Sequence, residues 1–229
     1  MYRTRYLRIP ATYLGLGHRR FRGYGISPDV AISRLFPILV FFFGCSVSDT
    51  TTTSPEEESV PEYDRSDWKH WSDLDGDCQD TRQEVLIRDS QEPVVFTDEK
   101  ECRVATGKWV DPYSSTVITD PSLVDIDHIV ALQDAHESGG WRWIPEDKEK
   151  FANDLEQLTV SSRTTNRSKG SRGPDEWLPP LETFRCEYLD IWLAIKTRYG
   201  LELSCSEEAT INQMKRTCLA GQVPVLPQN

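Results

Sequence analysis

Asp125-Ile126-Asp127-His128-Ile129-Val130 sets a carboxylate beside an imidazole at the end of an apolar run, and Asn166-Arg167-Ser168-Lys169-Gly170 follows about 40 residues later. Adjacent acid and histidine can supply a metal ligand and a general base, because a strand turns successive side chains to opposite sides. An asparagine can add a second oxygen ligand, and a lysine can add positive charge for a phosphate. Hydrolysis of a phosphodiester needs that set: a cation on the phosphate and a base beside the attacking water. Imidazole suits the base role with an unperturbed pKa of about 6.5. One ring nitrogen takes the proton from water while a backbone carbonyl holds the other. A carboxylate with an amide oxygen is a hard ligand pair, so Mg²⁺ is the expected ion and Mn²⁺ a substitute. Each residue also has a plain structural role open to it. His128 can pack in a core, Asp127 can cap a helix, Asn166 can make a turn, and Arg167 and Lys169 can be solvated charges.

The elements that must hold these residues are legible as an α+β pattern. Thr81-x-x-Glu84 reads as a capping box for a short helix through about Asp89. Runs at 93–96 and 102–106 read as strands, and 108–110 with 116–119 flank a turn over 111–115. Strand 123–127 delivers His128, and helix 131–137 stops at Gly139-Gly140. A charged amphipathic helix covers 146–155, with Phe151 and Leu155 on one face. Strand 158–161 then leads through a short loop to a helix starting near Asn166 or Lys169, and Pro174 marks the first turn of another. The strongest helix is 184–199, with Phe184, Tyr188, Ile191, Trp192 and Ile195 on one stripe and Gly200 at its end. Ser204-x-x-Glu207 caps a last helix carrying Ile211, Met214 and Cys218. Trp141, Trp143 and Trp177 can stack on bases, though packing in the core or at its rim is the simpler role. Asp73, Asp75, Asp77 and Asp80 around Gly76 suggest a calcium loop, but the EF-hand ligand spacing is absent.

The ordered series Cys78-Gln79-Asp80-Thr81-Arg82, Cys102, Gly107-Lys108-Trp109-Val110-Asp111-Pro112-Tyr113, Asp127-His128-Ile129-Val130-Ala131-Leu132, Phe151-Ala152-Asn153-Asp154, Asn166-x-x-Lys169-Gly170, Trp177-Leu178-Pro179-Pro180 and Cys186 resembles the HNH endonucleases with the ββα-metal finger. More narrowly, it resembles the secreted bacterial HNH group related to the C-terminal domain of GmrSD-type restriction endonucleases. The resemblance runs from about Asp77 to Cys218. It implies a ββα-metal core over about 122–173 surrounded by helices, with His128 as base and Asp127 and Asn166 as metal ligands. It also implies Lys169, Arg167 and Arg82 as phosphate contacts, an internal salt bridge being the competing role for Arg82. The family's middle asparagine, which orders the loop, falls nine residues before Asn166, where this chain has Gln157; Asn153 lies near enough to compensate. The positions matching the family pair Cys78 with Cys102 and Cys186 with Cys218. Cys205 is left over, either competing for Cys186 or staying free.

Composition bounds the setting. The chain has 229 residues, six cysteines and a formal net charge of −11. Seven arginines and one acid precede an apolar run over 35–43 that ends at Gly44-Cys45. That run is too short for a bilayer helix, which needs about 20 residues, but it fits an export signal over 1–45 of lipoprotein type, acylated at Cys45. Residues 46–62, rich in Thr, Ser and Glu, read as a disordered tether, and 63–229 as one domain. Loss of the leader takes the net charge to −17. That acidity excludes broad affinity for polyanions, so any nucleic-acid contact rests on local clusters such as Arg163, Arg167, Lys169 and Arg172. In an exported chain the cysteines form disulfides. The expectation is therefore an exported monomeric endonuclease acting on DNA with one divalent ion, secreted or anchored to the membrane through Cys45. The rival expectation is an inactive surface module of the same fold that binds nucleic acid or is purely structural.

Overall fold

Asp80, not Thr81, opens the first helix of the computed structural model, which describes residues 59–227. The expected export signal with Cys45, and all but the last four residues of the expected tether, lie outside the described residues. Helix α1 (Thr81–Asp89) is capped by the Asp80 carboxylate, which accepts from the Gln83 amide. The Thr81 hydroxyl points inward instead, donating to Ser72 O at 2.8 Å and within 2.9 Å of Asn153 Oδ1. An acid one position earlier does the same capping job and frees threonine for the core.

Three antiparallel strand pairs follow: β1 (Val95–Phe96) with β2 (Val104–Thr106), β3 (Trp109–Val110) with β4 (Val117–Ile118), and β5 (Val124–His128) with β6 (Leu158–Ser162). The last pair is the longest, with Asp127 opposite Thr159 and His128 opposite Leu158. Val124 and Ile126 from β5 join Leu158, Val160, Val85, Leu86, Trp109 and Ile118 in one apolar cluster. By alternation, Asp125 and Asp127 face the other way. There they meet α4 (Arg163–Lys169), which begins directly after β6 because the Ser162 hydroxyl accepts from the Thr165 amide. The helix thus starts three residues before the position read from the sequence, and Asn166 lies within it rather than at its start.

Helix α2 (Leu132–Glu137) leads to α3 (Pro145–Ala152), which is shorter than expected. Asn153 ends it, and Asp154 caps a separate single turn over Leu155–Gln157. Residues near Pro174 form turns rather than a helix. Helices α5 (Arg185–Tyr199) and α6 (Cys205–Leu219) complete the domain, with Gly200 at φ 62° ending α5 and the Ser204–Glu207 capping box opening α6 as expected. A second core gathers Trp68, Tyr113, Val130, Phe151, Trp177, Tyr188, Trp192, Ile195, Ile211 and Met214. Side chains of this size each contribute about 1.5–3 kcal/mol when fully buried. The disulfides Cys78–Cys102 and Cys186–Cys218 are both present, tying the lead-in of α1 to that of β2, and α5 to α6. Cys205 is disulfide-bonded as well, so it is not the free thiol the sequence left open. Among the described residues no helix is long and apolar enough to cross a membrane.

Candidate active site

His128 closes strand β5 with its ring on the Ile126 side of the hairpin. Its Nε2 lies 2.8 Å from the carbonyl oxygen of Ala152. A carbonyl only accepts, so Nε2 carries the proton and Nδ1 carries the lone pair. This is the one-nitrogen-held arrangement expected of a base. The Trp71 ring lies across the imidazole at 5.7 Å between centroids, and His70 stands edge-on at 6.4 Å. Burial pushes the His128 pKa down to about 3, opposed by the bond to Ala152. The ring is therefore neutral at pH 7 but only weakly basic while Trp71 covers it.

The loop that carries Ala152 is fastened from two sides. Gln157 donates from Nε2 to Phe151 O at 2.6 Å, and the Ile129 amide donates to Gln157 O. Its Oε1 is buried without a partner among the described residues. Asn153 accepts from the Ser72 amide and donates to Lys69 O and Glu149 O. Glutamine thus reaches one backbone group of the loop, and Asn153 binds the segment 69–81 against it.

Asp127 is 4 % exposed and both its oxygens are engaged. Tyr113 donates its hydroxyl to Oδ2 at 2.7 Å, and Lys169 Nζ lies 3.0 Å from Oδ1 while also donating to His128 O at 2.8 Å. Burial raises the Asp127 pKa above the ordinary carboxylate value, with the Lys169 ammonium pulling the other way. Lys169 is itself fully buried, and its charge is paired inside the protein with Asp127. Asn166, one helical turn earlier, faces Asp125 rather than Asp127, donating from Nδ2 to Asp125 Oδ2 at 3.2 Å.

Arginines gather around that second pair. Arg163 Nε comes within 3.8 Å of Asp125 Oδ1. Arg82 donates to the carbonyls of Pro121 and Val124 and feels the charges of Asp125, Arg103 and Arg163. It forms part of the frame that holds β5, while Arg163 and Arg103 are exposed beside it and Arg167 is exposed on the last turn of α4. Of the tryptophans, Trp177 and Trp143 pack into aromatic contacts of the core. The carboxylates of Asp73, Asp75 and Asp77 lie within 4.8 Å of one another at the surface, and each accepts a neighbouring backbone N–H.

Residues 80–209 match the family described as the C-terminal domain of GmrSD restriction endonucleases. The chain belongs to this family. Membership gives it a nuclease-related function. An uncharacterized secreted protein of Arthroderma benhamiae is similar to it, 36 % identical over 158 residues that cover 68 % of this chain and 76 % of that protein. No solved structure matches. The GmrSD C-terminal domain match contains Asp125, Asp127, His128, Asn166 and Lys169 but begins after Trp68, His70 and Trp71. Trp71 and His70 are the residues at the site that lie outside every motif, while Tyr113 and Asp125 stand in the quoted motifs without a role. Asp125 was findable, since it sits two residues before Asp127 on the same strand face. Trp71 and His70 reach His128 only through tertiary folding.

Proposed function

We propose that this chain is an exported endonuclease that hydrolyses phosphodiester bonds of nucleic acid, DNA in the first instance, with His128 as general base. The observation that carries this reading is the His128 imidazole fixed by Ala152 O within a domain of the restriction-endonuclease family. In this reading β5, β6 and α4 form the ββα-metal finger. Export is supported by the disulfides, which persist in oxidising compartments, and by the description of the relative as secreted.

Asp127 does not fit a divalent ion as it stands, because the Lys169 ammonium and the Tyr113 hydroxyl take its two oxygens. Asp125 with Asn166 is the more open candidate: the Asp125 side chain is 26 % exposed, although Arg163 stands 3.8 Å from its Oδ1 and Asn166 presents Nδ2–H to its Oδ2, so the amide has to turn over to bring its oxygen to an ion. Mg²⁺ held there would supply charge stabilisation to the phosphorane, with Arg163, Arg103 and Arg167 beside it for neighbouring phosphates. Lys169 and Asp127 are then an internal ion pair that holds α4 on β5. His128, its Nε2–H fixed, accepts the proton of water at Nδ1 once water reaches the ring past Trp71.

A second reading has its own observation. His128 and the Asp125–Asn166 pair lie on opposite faces of the hairpin, and a histidine of such low basicity suits packing better than proton transfer. That favours a nucleic-acid-binding module without hydrolysis. Nicking of supercoiled plasmid separates the two. The enzyme reading expects Mg²⁺-dependent nicking, abolished by EDTA and lowered about 10²–10⁴-fold in folded His128→Ala. No nicking by wild type, or equal rates for the variant, would leave the binding module.

A further inference from the structure

We propose that Trp71 is a two-position gate over His128, shut in this structure and opened by a turn of its own backbone. In the shut position its ring lies across the imidazole at 5.7 Å between centroids with 32° between planes, and His70 meets it edge-on at 5.3 Å. His128 is 6 % exposed beneath this cover. On the nuclease reading, on which this use of the gate rests, the turn decides when water reaches the base.

The backbone gives the first sign of a second position. Trp71 has φ 61°, in the left-handed region where a bulky side chain is an outlier and Cβ crowds the following carbonyl. Such strain persists where the surroundings over-determine it. Here they grip the neighbours and not the residue. Asn153, itself buried, accepts from the Ser72 amide and donates to Lys69 O, both at 2.9 Å, so one side chain clamps both sides of the 70–71 span. Glu149 Oε1 accepts the Ser72 hydroxyl at 2.5 Å and the Lys69 ammonium at 2.7 Å. Ser72 O accepts from the amide and hydroxyl of Thr81, and His70 donates Nδ1–H to Trp68 O at 2.7 Å.

Between these clamps one peptide plane is loose. Neither the Trp71 N–H nor the His70 carbonyl makes a hydrogen bond among the described residues. That plane can turn over with both clamps closed, taking Trp71 to negative φ and releasing its strain. The ring's contacts with His128 and with the apolar cluster beneath β5 and β6 oppose the turn. An aromatic contact and a left-handed residue are of similar energy, so the open position lies close enough to be populated.

The test is the rate at which diethyl pyrocarbonate modifies each histidine of the full chain at pH 7, read by peptide mass spectrometry. Half-buried His70 and buried His136, packed against Tyr63 and Trp68, serve as references within the same molecule. His128 is expected between them. It should react about tenfold or more slower than His70, because the gate is mostly shut, and about tenfold or more faster than His136, which needs a wider opening. Trp71→Gly removes the ring and accepts φ 61° without strain. In it His128 should react about tenfold or more faster than in wild type, with His136 unchanged as the sign of folding. Trp71→Asn, which also tolerates the left-handed region, serves if the glycine variant unfolds. Wild-type His128 as reactive as His70 would mean that the ring does not cover it, and as inert as His136 that the gate does not open. Either result overturns the proposal, as does a folded variant with no gain. All of this is read without nucleic acid, so failure of wild type to nick plasmid would remove the nuclease reading and leave the gate standing.

Discussion

Replacing Lys169 by methionine separates the two jobs that its place in Asn-x-x-Lys allows. Methionine keeps much of the stem and removes the charge. Lys169 and Asp127 side chains are 0 % and 5 % exposed, so no water takes over from the lost ammonium. Asp127 keeps the Tyr113 hydroxyl and otherwise sits in a dry site, where its cheapest course is to take up a proton. From an ordinary pKa of about 3.9, doing so at pH 7 costs about three units, or roughly 4 kcal/mol. That agrees with the roughly 3–5 kcal/mol lost when one partner of a buried pair is removed, and it lowers Tm by roughly 10 °C for a domain of this size. The sign with pH follows. Burial already raises the Asp127 pKa in the wild type, and losing the Lys169 ammonium raises it further, so the variant gains more stability than the wild type as pH falls. Its deficit against wild type shrinks by about 1.4 kcal/mol per unit between pH 7 and 5. Titration of His128 is common to both proteins and drops out of the difference. Urea unfolding of both proteins at pH 7, 6 and 5 measures this. A deficit below about 1 kcal/mol that does not change with pH, joined to a raised KM for DNA, would refute the internal pair and return Lys169 to the phosphate.

The wild type itself should be acid-sensitive through His128. With its folded pKa pushed down to about 3, the stability it contributes is complete above about pH 6.5 and is lost as pH falls toward 3, at about 1.4 kcal/mol per unit; His128→Gln should flatten that slope in the same urea series. Cys186→Ser with Cys218→Ser opens a loop of sequence separation 32 and should cost about 3–4 kcal/mol in the chain-entropy treatment, read by denaturant midpoint.

Local signals carried well from sequence to fold where one residue type had one job. Ser204 and Glu207 formed the expected capping box, and Tyr188, Trp192 and Ile195 lined the buried stripe of α5. They failed where two neighbours competed. Asp80 took the cap that Thr81 could have filled, and Ser162 started α4 early enough to swing Asn166 onto Asp125. The ligand pair depended on that phase, since Asn166 and Lys169 stand one turn apart and meet alternate residues of β5. Spacing along the chain says that an acid, an amide and a lysine are near one another; it does not say which acid meets which. The cover over His128 was hidden for a different reason, because Trp71 and His70 precede every motif and arrive by tertiary packing alone.

The stretch matched by the family is shorter than the packed interior it belongs to. A fragment trimmed to residues 80–209 would discard Trp68, buried at 0 % exposure among the rings of Trp143 and Phe151. It would also lose Ile211 and Met214 from the inner side of α6, and Cys218, leaving Cys186 without its partner. Such a fragment would keep every residue that invites the word nuclease while lacking the two flanks that close its interior. Failure of that fragment to cut would therefore report on its borders rather than on its chemistry.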